Sequence, residues 1–519
     1  MTQAPPPEME KETHPESEQA PKWRWRMTRR GFLIGAGAVV GSLAVGVALG
    51  RAPFHRFVAQ QLDNSPPPGS LPGEPTLWIE ITPDNRVRIY STKVEMGQGI
   101  HTAVAQIGAE ELEVPWEQVE LIQATTHAGP FDSFGTGGSG SVVSVYAVLR
   151  QAAATMREML KVEGAKLLGV SAEQVTAVDG TVQLRNDASQ SVTYGDIVAQ
   201  VSEWPELTTE PTLRPVSDYK VIGQSLPRVD LPAKIKGEAI YGYDLRVPNM
   251  LYGAIARPPT IEAKMVSAKP GRAADGAGVV QVVIDVEKGF AGVVARTRQQ
   301  AQTAVRDLEI EWDEGYLWQQ DEIEARLQFE NGVNIQQEGR VRLADNNAYT
   351  AEYLTPFAIH AHLEPQAALA EVKDGQARIW GSTQAQGTVQ GEIADDLGLD
   401  AENVIVEPTY LGGGFGRRLN IEAAVEAARL SRAVGQPVHV GWTRPEDMRH
   451  GYFRPLTRSK LSARLENGRI VEMDHHQISG EVAFPFFPGF LKAIFGSDFG
   501  AWRGAVNFYG GIPNRSTTA

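Results

Sequence analysis

Val94-Glu95-Met96-Gly97-Gln98-Gly99 is the stretch from which the fold can be read. Before it, Leu77 to Ser91 alternates in the manner of strands, as in Trp78-Ile79-Glu80-Ile81 and Arg86-Val87-Arg88-Ile89-Tyr90, with Asp84-Asn85 between. A hairpin is expected there. After it, Ile100, Ala103, Val104 and Ile107 recur at helical spacing, so a helix should start at the glycines. Glycine at such a junction lets backbone N–H groups come close to an anion, and the helix dipole favours negative charge at that end.

Two further units share the pattern. Phe134-Gly135-Thr136-Gly137-Gly138-Ser139-Gly140-Ser141 precedes a helix whose apolar face is Val145, Val148, Leu149, Ala152, Ala153, Met156 and Leu160, and its Thr136, Ser139 and Ser141 add hydroxyls. Leu411-Gly412-Gly413-Gly414-Phe415-Gly416-Arg417-Arg418 is expected to open a third helix with Ile421, Ala424, Val425 and Ala428 inward, its arginines adding positive charge for a phosphate. A single glycine cluster serves as readily for a tight turn. Three in one chain, none with the Lys-Ser/Thr ending of a nucleotide-hydrolysing loop, point to a polyphosphorylated or pterin-like cofactor held by backbone amides.

Composition narrows the chemistry. The chain has 519 residues, 42% hydrophobic and 22% charged, which suits several folded cores. A formal charge of -14 disfavours nucleic acid as a partner. There are 0 cysteines, so any iron–sulfur relay must sit on another polypeptide. No Gly-x-Ser-x-Gly elbow is present, which leaves a hydrolase without its nucleophile. His360-x-His362 and His475-His476 lack a third ligand at motif spacing and read as polar histidines on strands and loops, so no metal-ligating set is expected.

Residues 1–26 have a disordered composition. In 27–50, Thr28-Arg29-Arg30-Gly31-Phe32-Leu33 leads an uncharged run of 18 residues from Phe32 to Leu49, the pattern of a twin-arginine export signal, cleaved or kept as an anchor. Residues 51–75 read as a proline-rich linker.

The three loops resemble the cofactor-binding loops of the xanthine oxidase superfamily, as do His362-Leu363-Glu364-Pro365 and Gly381-Ser382-Thr383-Gln384. The stretch Lys234 to Asp244, with Pro248-Asn249-Met250-Leu251-Tyr252-Gly253, resembles the family's hammerhead domain. The resemblance runs from about Leu77 to Asn514. The order of its motifs, with the export signal, is similar to the molybdopterin-binding subunits of the isoquinoline 1-oxidoreductase beta and periplasmic aldehyde dehydrogenase type.

The resemblance implies an α+β fold with a molybdopterin-binding half-domain at 76–205, a linker at 206–225, a small α/β hammerhead domain at 226–315 and a second molybdopterin-binding domain at 316–519. It implies that Gly97, Gln98, Gly99, Thr136, Gly137, Gly138, Ser139 and Ser141 cradle a molybdopterin cytosine dinucleotide. Gly413, Gly414, Phe415 and Gly416 would approach the molybdenum end, and Gln384 would aim its amide at a metal oxo ligand. It further implies a periplasmic hydroxylase of aldehydes or N-heterocycles, a small 2Fe-2S subunit as partner and a c-type cytochrome as acceptor.

Two departures are noted. Arg417-Arg418-Leu419 lacks the acidic residue of purine-oxidising members. The tail Arg515-Ser516-Thr517-Thr518-Ala519 does not match, so the family's catalytic glutamate is expected beyond this sequence, and an inactive cofactor-binding scaffold is the alternative reading. Glu95 and Glu364 are expected to accept loop N–H groups or pair with arginine rather than act as bases. Phe484-Pro485-Phe486-Phe487-Pro488-Gly489-Phe490 is a candidate funnel for flat rings.

Overall fold

The computed structural model describes Arg56 and residues 71–207, 209–343, 347–482, 497–498, 500–502 and 511–519. The stretch 1–26, the arginine-led segment 27–50, most of the linker 51–75 and the aromatic run 484–490 lie outside those residues. Among the described residues no helix is long and apolar enough to cross a membrane. The chain forms two compact units, one from 71–318 with 358–453 and one from 319–357 with 454–519.

In the larger unit the expected hairpin forms. Ile79–Ile81 pairs antiparallel with Val87–Ser91, and Asn85 turns the chain at φ +64°. Val87–Ser91 then pairs in parallel with Val119–Gln123, the connection between them carrying helix α1 (Ile100–Leu112). Helix α2 (Ser141–Leu168) buries Val145, Leu149, Ala152, Ala153, Met156 and Leu160, which join Trp78, Ile89, Val104 and Ile107 in one core. Each such large side chain removed from water contributes roughly 2 kcal/mol before entropy is counted. Gly108 of α1 lies so close to the strands that a Cβ there would stand 2.5 Å from Ile89 Cδ1, which fixes how near the helix sits.

A seven-stranded mixed sheet follows, in the order Val404–Pro408, Gln376–Gly381, Ala367–Lys373, Val438–Gly441, Leu251–Ile255, Phe290–Ala295, Val279–Asp285. Two of its inner strands, Phe290–Ala295 and Val438–Gly441, are buried along their length, the pattern of strands covered on both faces. Helices α3 (Gln386–Leu397) and α4 (Glu422–Val434) contribute Val389, Ile393, Ala427 and Leu430 to its core.

This sheet cuts across the expected ranges 226–315 and 316–519. Leu251–Ile255 pairs in parallel with Val438–Gly441, so hammerhead-like sequence and later sequence share one sheet, while the described residues of 319–357 and 454–519 belong to the other unit. Backbone hydrogen bonds across the 438–441 strand hold the two ranges together.

The smaller unit is a five-stranded sheet in the order Asn334–Glu338, Asn514–Thr518, Arg469–Ser479, Thr457–Glu466, Tyr349–Thr355. The segment Asn514–Thr518 lies between two neighbours, antiparallel to one and parallel to the other. Most of the chain's last residues thus form an inner strand.

Candidate functional site

The first glycine loop is closed around a carboxylate. Gly97 and Gly99 adopt φ +108° and +84°, which only glycine takes without strain. The turn brings three backbone N–H groups onto Glu95: Gly97 at 2.8 Å, Gly99 at 3.0 Å and His101 at 3.2 Å. Arg228 pairs with the same carboxylate at 3.0 Å. Gln98 is turned inward, accepting from the Met96 N–H at 2.7 Å and donating to the Val94 carbonyl at 2.9 Å. The negative charge that the α1 dipole favours is thus supplied by Glu95 itself. Of the donors expected to cradle an anion, the Gly97 and Gly99 N–H groups and one amide N–H of Gln98 are thus engaged within the protein.

The second loop differs. A buried Lys93–Asp132 pair at 2.5 Å anchors its base, with Lys93 also donating to the Gly135 carbonyl at 2.7 Å. Thr136 is buried and accepts from the Val94 N–H at 2.9 Å. Beyond it the chain opens. Gly138 and Ser139 are exposed, with φ +60° and +55°, and a Cβ on Gly138 would meet nothing within 4 Å. Among the described residues no acceptor takes the N–H groups of Gly137, Gly138 or Ser139. Ser141 starts α2, whose 28 residues place a full dipole behind these donors.

The third loop is tied to the second by Gln384, which is 2% exposed. Its amide donates to the Thr136 carbonyl at 2.8 Å, and its Oε1 accepts from Gly416 at 3.1 Å and Arg418 at 3.3 Å. Its Oε1 and one amide N–H are thus engaged within the protein, so the side chain clamps two loops, while the second amide N–H has no acceptor among the described residues. Gly414 permits this approach, since a Cβ there would stand 2.5 Å from Met96 Sδ and 2.6 Å from Gln384 Oε1. Gly413, Phe415 and Gly416 all have positive φ, and Phe415 projects outward, 70% exposed.

Both arginines are buried. Arg418 is buried and bonds Glu364 at 3.0 Å, the Gly413 carbonyl at 2.8 Å and the Ser382 carbonyl at 3.1 Å. Arg417 pairs with Glu422 at 3.1 Å and lies over the Trp442 and Tyr452 rings. A short 3-10 turn, Arg417–Leu419, separates the loop from α4, so the third loop does not open its helix as expected. Ile421 and Val425 are consequently only half-buried, while Ala424 and Ala428 point inward.

Glu364 accepts from the Gly412 N–H at 2.9 Å and the Tyr243 N–H at 3.1 Å. Glu95 and Glu364 both hold loops, as expected of them. Burial raises the Glu364 carboxyl above the ordinary range, opposed by Arg418. The two expected histidines lie beneath the third loop and diverge. His362 Nδ1 bonds the Glu364 carbonyl at 2.5 Å, and its Nε2 is 3.6 Å from Asp447. Burial first, then Arg418, pushes its pKa down to about 3. His360 Nδ1 bonds the Tyr452 carbonyl at 3.0 Å. Among the described residues no group of three or more acidic or imidazole side chains could hold a metal ion.

The structure therefore brings Thr136, Gln384, Gly414 and Gly416 together with Met96, and leaves Gly138 and Ser139 as an open rim. Sequence reading missed Lys93, Asp132 and Arg228, whose roles arise from contacts across 39 to 133 residues of chain. A separate cavity of about 1140 Å³, lined among others by Arg257, Trp312, Glu422 and Tyr452, contains none of the expected residues.

Two family models, both described as a molybdopterin cofactor-binding domain, match residues 22–240 and 323–496. The chain is 34% identical over 478 residues to the membrane-bound aldehyde dehydrogenase [pyrroloquinoline-quinone] of Gluconacetobacter polyoxogenes, covering 88% of this chain and 60% of that protein. It is 29% identical over 547 residues to isoquinoline 1-oxidoreductase subunit beta of Brevundimonas diminuta, covering 93% and 68%. The crystal structure of quinoline 2-oxidoreductase from Pseudomonas putida 86 aligns at 21% identity, 50% of this chain and 40% of that one, with a TM-score of 0.43. The chain thus spans 60% of the length of the first of these relatives.

Proposed function

Because the chain belongs to the molybdopterin-binding subunits of the xanthine oxidase superfamily, we propose that it serves a periplasmic molybdenum hydroxylase acting on aldehydes or N-heterocycles, with water as oxygen source. The observation that carries this reading is the open rim of the second loop. Among the described residues the N–H groups of Gly137, Gly138 and Ser139 have no acceptor, and they stand before the 28-residue helix α2, with nothing within 4 Å of where a Cβ on Gly138 would lie. That donor set fits a phosphate of a molybdopterin cytosine dinucleotide.

When bound, the molybdopterin supplies the two-electron oxidation chemistry. The chain's own residues hold it. Lys93 and Asp132 fix the base of the rim, Gln384 sets the spacing between the second and third loops, and Arg418 with Glu364 fixes the third. Without cysteine the chain has no thiolate for an iron–sulfur cluster, which supports an electron-accepting iron–sulfur subunit as partner. The arginine pair before residues 32–49 supports export in the folded state.

The test is molybdenum and pterin analysis of the chain purified with its iron–sulfur partner, together with dye-linked oxidation of an aldehyde and of an N-heterocycle. Near-stoichiometric cofactor with turnover of either substrate is the expected result. Cofactor without turnover would leave a cofactor-holding scaffold, and absence of both molybdenum and pterin would overturn the reading.

A further inference from the structure

We propose that His360 is a specificity-determining acceptor of the cofactor site, taking a hydrogen bond through Nε2 from an N–H or O–H of the cofactor at the Gly413–Gly416 loop. This rests on the cofactor-site reading above and adds to it a residue facing the bound group.

The tautomer follows from one contact. His360 Nδ1 lies 3.0 Å from the Tyr452 carbonyl oxygen. A carbonyl can only accept, so in the neutral ring Nδ1 carries the proton and Nε2 is left with a lone pair. The ring is held neutral by its surroundings, because burial lowers its affinity for a second proton and the Arg417 guanidinium opposes another positive charge.

Position follows from the loop. Nε2 is the nearest heavy atom, at 3.9 Å, to where a Cβ on Gly416 would stand. It therefore borders the left-handed Gly416, and His360 is only half-buried, so a bound molecule can reach it. His362, by contrast, is buried with its Nε2 turned toward Asp447.

Four carbonyls of this loop already accept a hydrogen bond within the protein, which leaves the Phe415 carbonyl and His360 Nε2 as its unengaged acceptors among the described residues. The Gly412 carbonyl accepts from Glu364 at 3.1 Å, Gly413 from Arg418 at 2.8 Å, Gly414 from Arg417 at 2.9 Å and Gly416 from Leu419 at 3.1 Å. Gln384 Oε1 and the Glu364 carboxylate are occupied as described. His360 Nε2 has no hydrogen-bond partner among the described residues. A lone pair repels an anionic oxygen and attracts a donor. The site is thus polarised, with bare donors at the second loop for a phosphate and, at the third, a side-chain acceptor beside Gly416 for a proton-bearing group.

The test uses the full chain with its iron–sulfur partner, labelled with nitrogen-15 on histidine and prepared from hosts able and unable to make the pterin. His360→Phe assigns the resonance by its loss. In pterin-free protein Nε2 should give the signal of an unprotonated ring nitrogen, and in loaded protein that signal should move toward the hydrogen-bonded position. His360→Phe should lose pterin on the order of fivefold faster after gel filtration, the weight of one hydrogen bond, with an unchanged circular dichroism spectrum. His360→Gln, which keeps an acceptor, should retain pterin near the wild-type rate. A loaded wild type with no shift at Nε2, or equal impairment of the Phe and Gln variants, would overturn the assignment while leaving the cofactor site standing. A wild type that never holds pterin would overturn both.

Discussion

The first and second glycine loops look alike in sequence, yet one is closed and the other open. Both stand before a helix of thirteen residues or more, and both use glycine at positive φ. In the first, Glu95 lies two residues before Gly97, and its carboxylate gathers the N–H groups that an outside anion would need. In the second the acidic residue is Asp132, which binds the N–H groups of Phe134 and Gly135 at the base of the loop and leaves the rim alone. Glycine sets where the backbone can turn. The register of the nearest carboxylate decides whether the amides remain available.

The largest effect should come from emptying the closed loop. Glu95→Ala removes a side chain that is 0% exposed and strands Arg228 and three N–H groups, so unfolding in urea should show a loss of about 4 kcal/mol. Glu95→Gln keeps an acceptor and should lose less. Should Glu95→Ala be near neutral in stability, the carboxylate would not be what closes the loop, and the contrast with the second loop would fail.

The histidines beneath the third loop give the next largest effect, and its sign is fixed. His362 is pushed down to about 3 in the folded protein and titrates near 6.5 unfolded. Its stability contribution is therefore full above about 6.5 and is lost as the pH falls toward 3, since the unfolded chain takes up the proton first. At pH 5 the loss from this group is about 2 kcal/mol. His439, buried and held at about 4, acts in the same direction. Denaturation midpoints at pH 7.5 and 5 should differ less in His362→Gln than in the wild type. An equal difference would mean that the ring is protonated in the fold.

Much of this was legible in the sequence where the cause is local. The apolar spacing of Ile100, Val104 and Ile107, and of Val145, Leu149, Met156 and Leu160, gave two helices with the faces they bury. Glu95 and Glu364 could be read as loop-holding carboxylates because a glycine turn places N–H groups within reach of a nearby acid. Distant partners were not legible. Arg417 and Arg418 look like phosphate ligands until Glu422 and Glu364 are seen beside them, and the latter lies 54 residues away. Gln384 contacts Thr136 across 248 residues, a separation over which no periodicity carries information. The same holds for the pairing of Leu251–Ile255 with Val438–Gly441, which merges two expected domains into one sheet.

The smallest effects test the comparison most directly. Gly97→Ala and Gly138→Ala each place a methyl where nothing lies within 4 Å, at φ +108° and +60°, so each should cost stability only through the backbone, about 1 kcal/mol by urea denaturation. Their effects on pterin content should part. The amide of Gly97 is already bonded to Glu95, so a methyl there leaves the donors of the open loop untouched and retention should stay near wild type. A methyl on Gly138 stands among donors with no acceptor among the described residues and should lower the pterin retained after gel filtration. Equal losses from both variants would mean that the two loops share the cofactor despite Glu95, and that a loop whose amides are internally bonded can still form part of its wall.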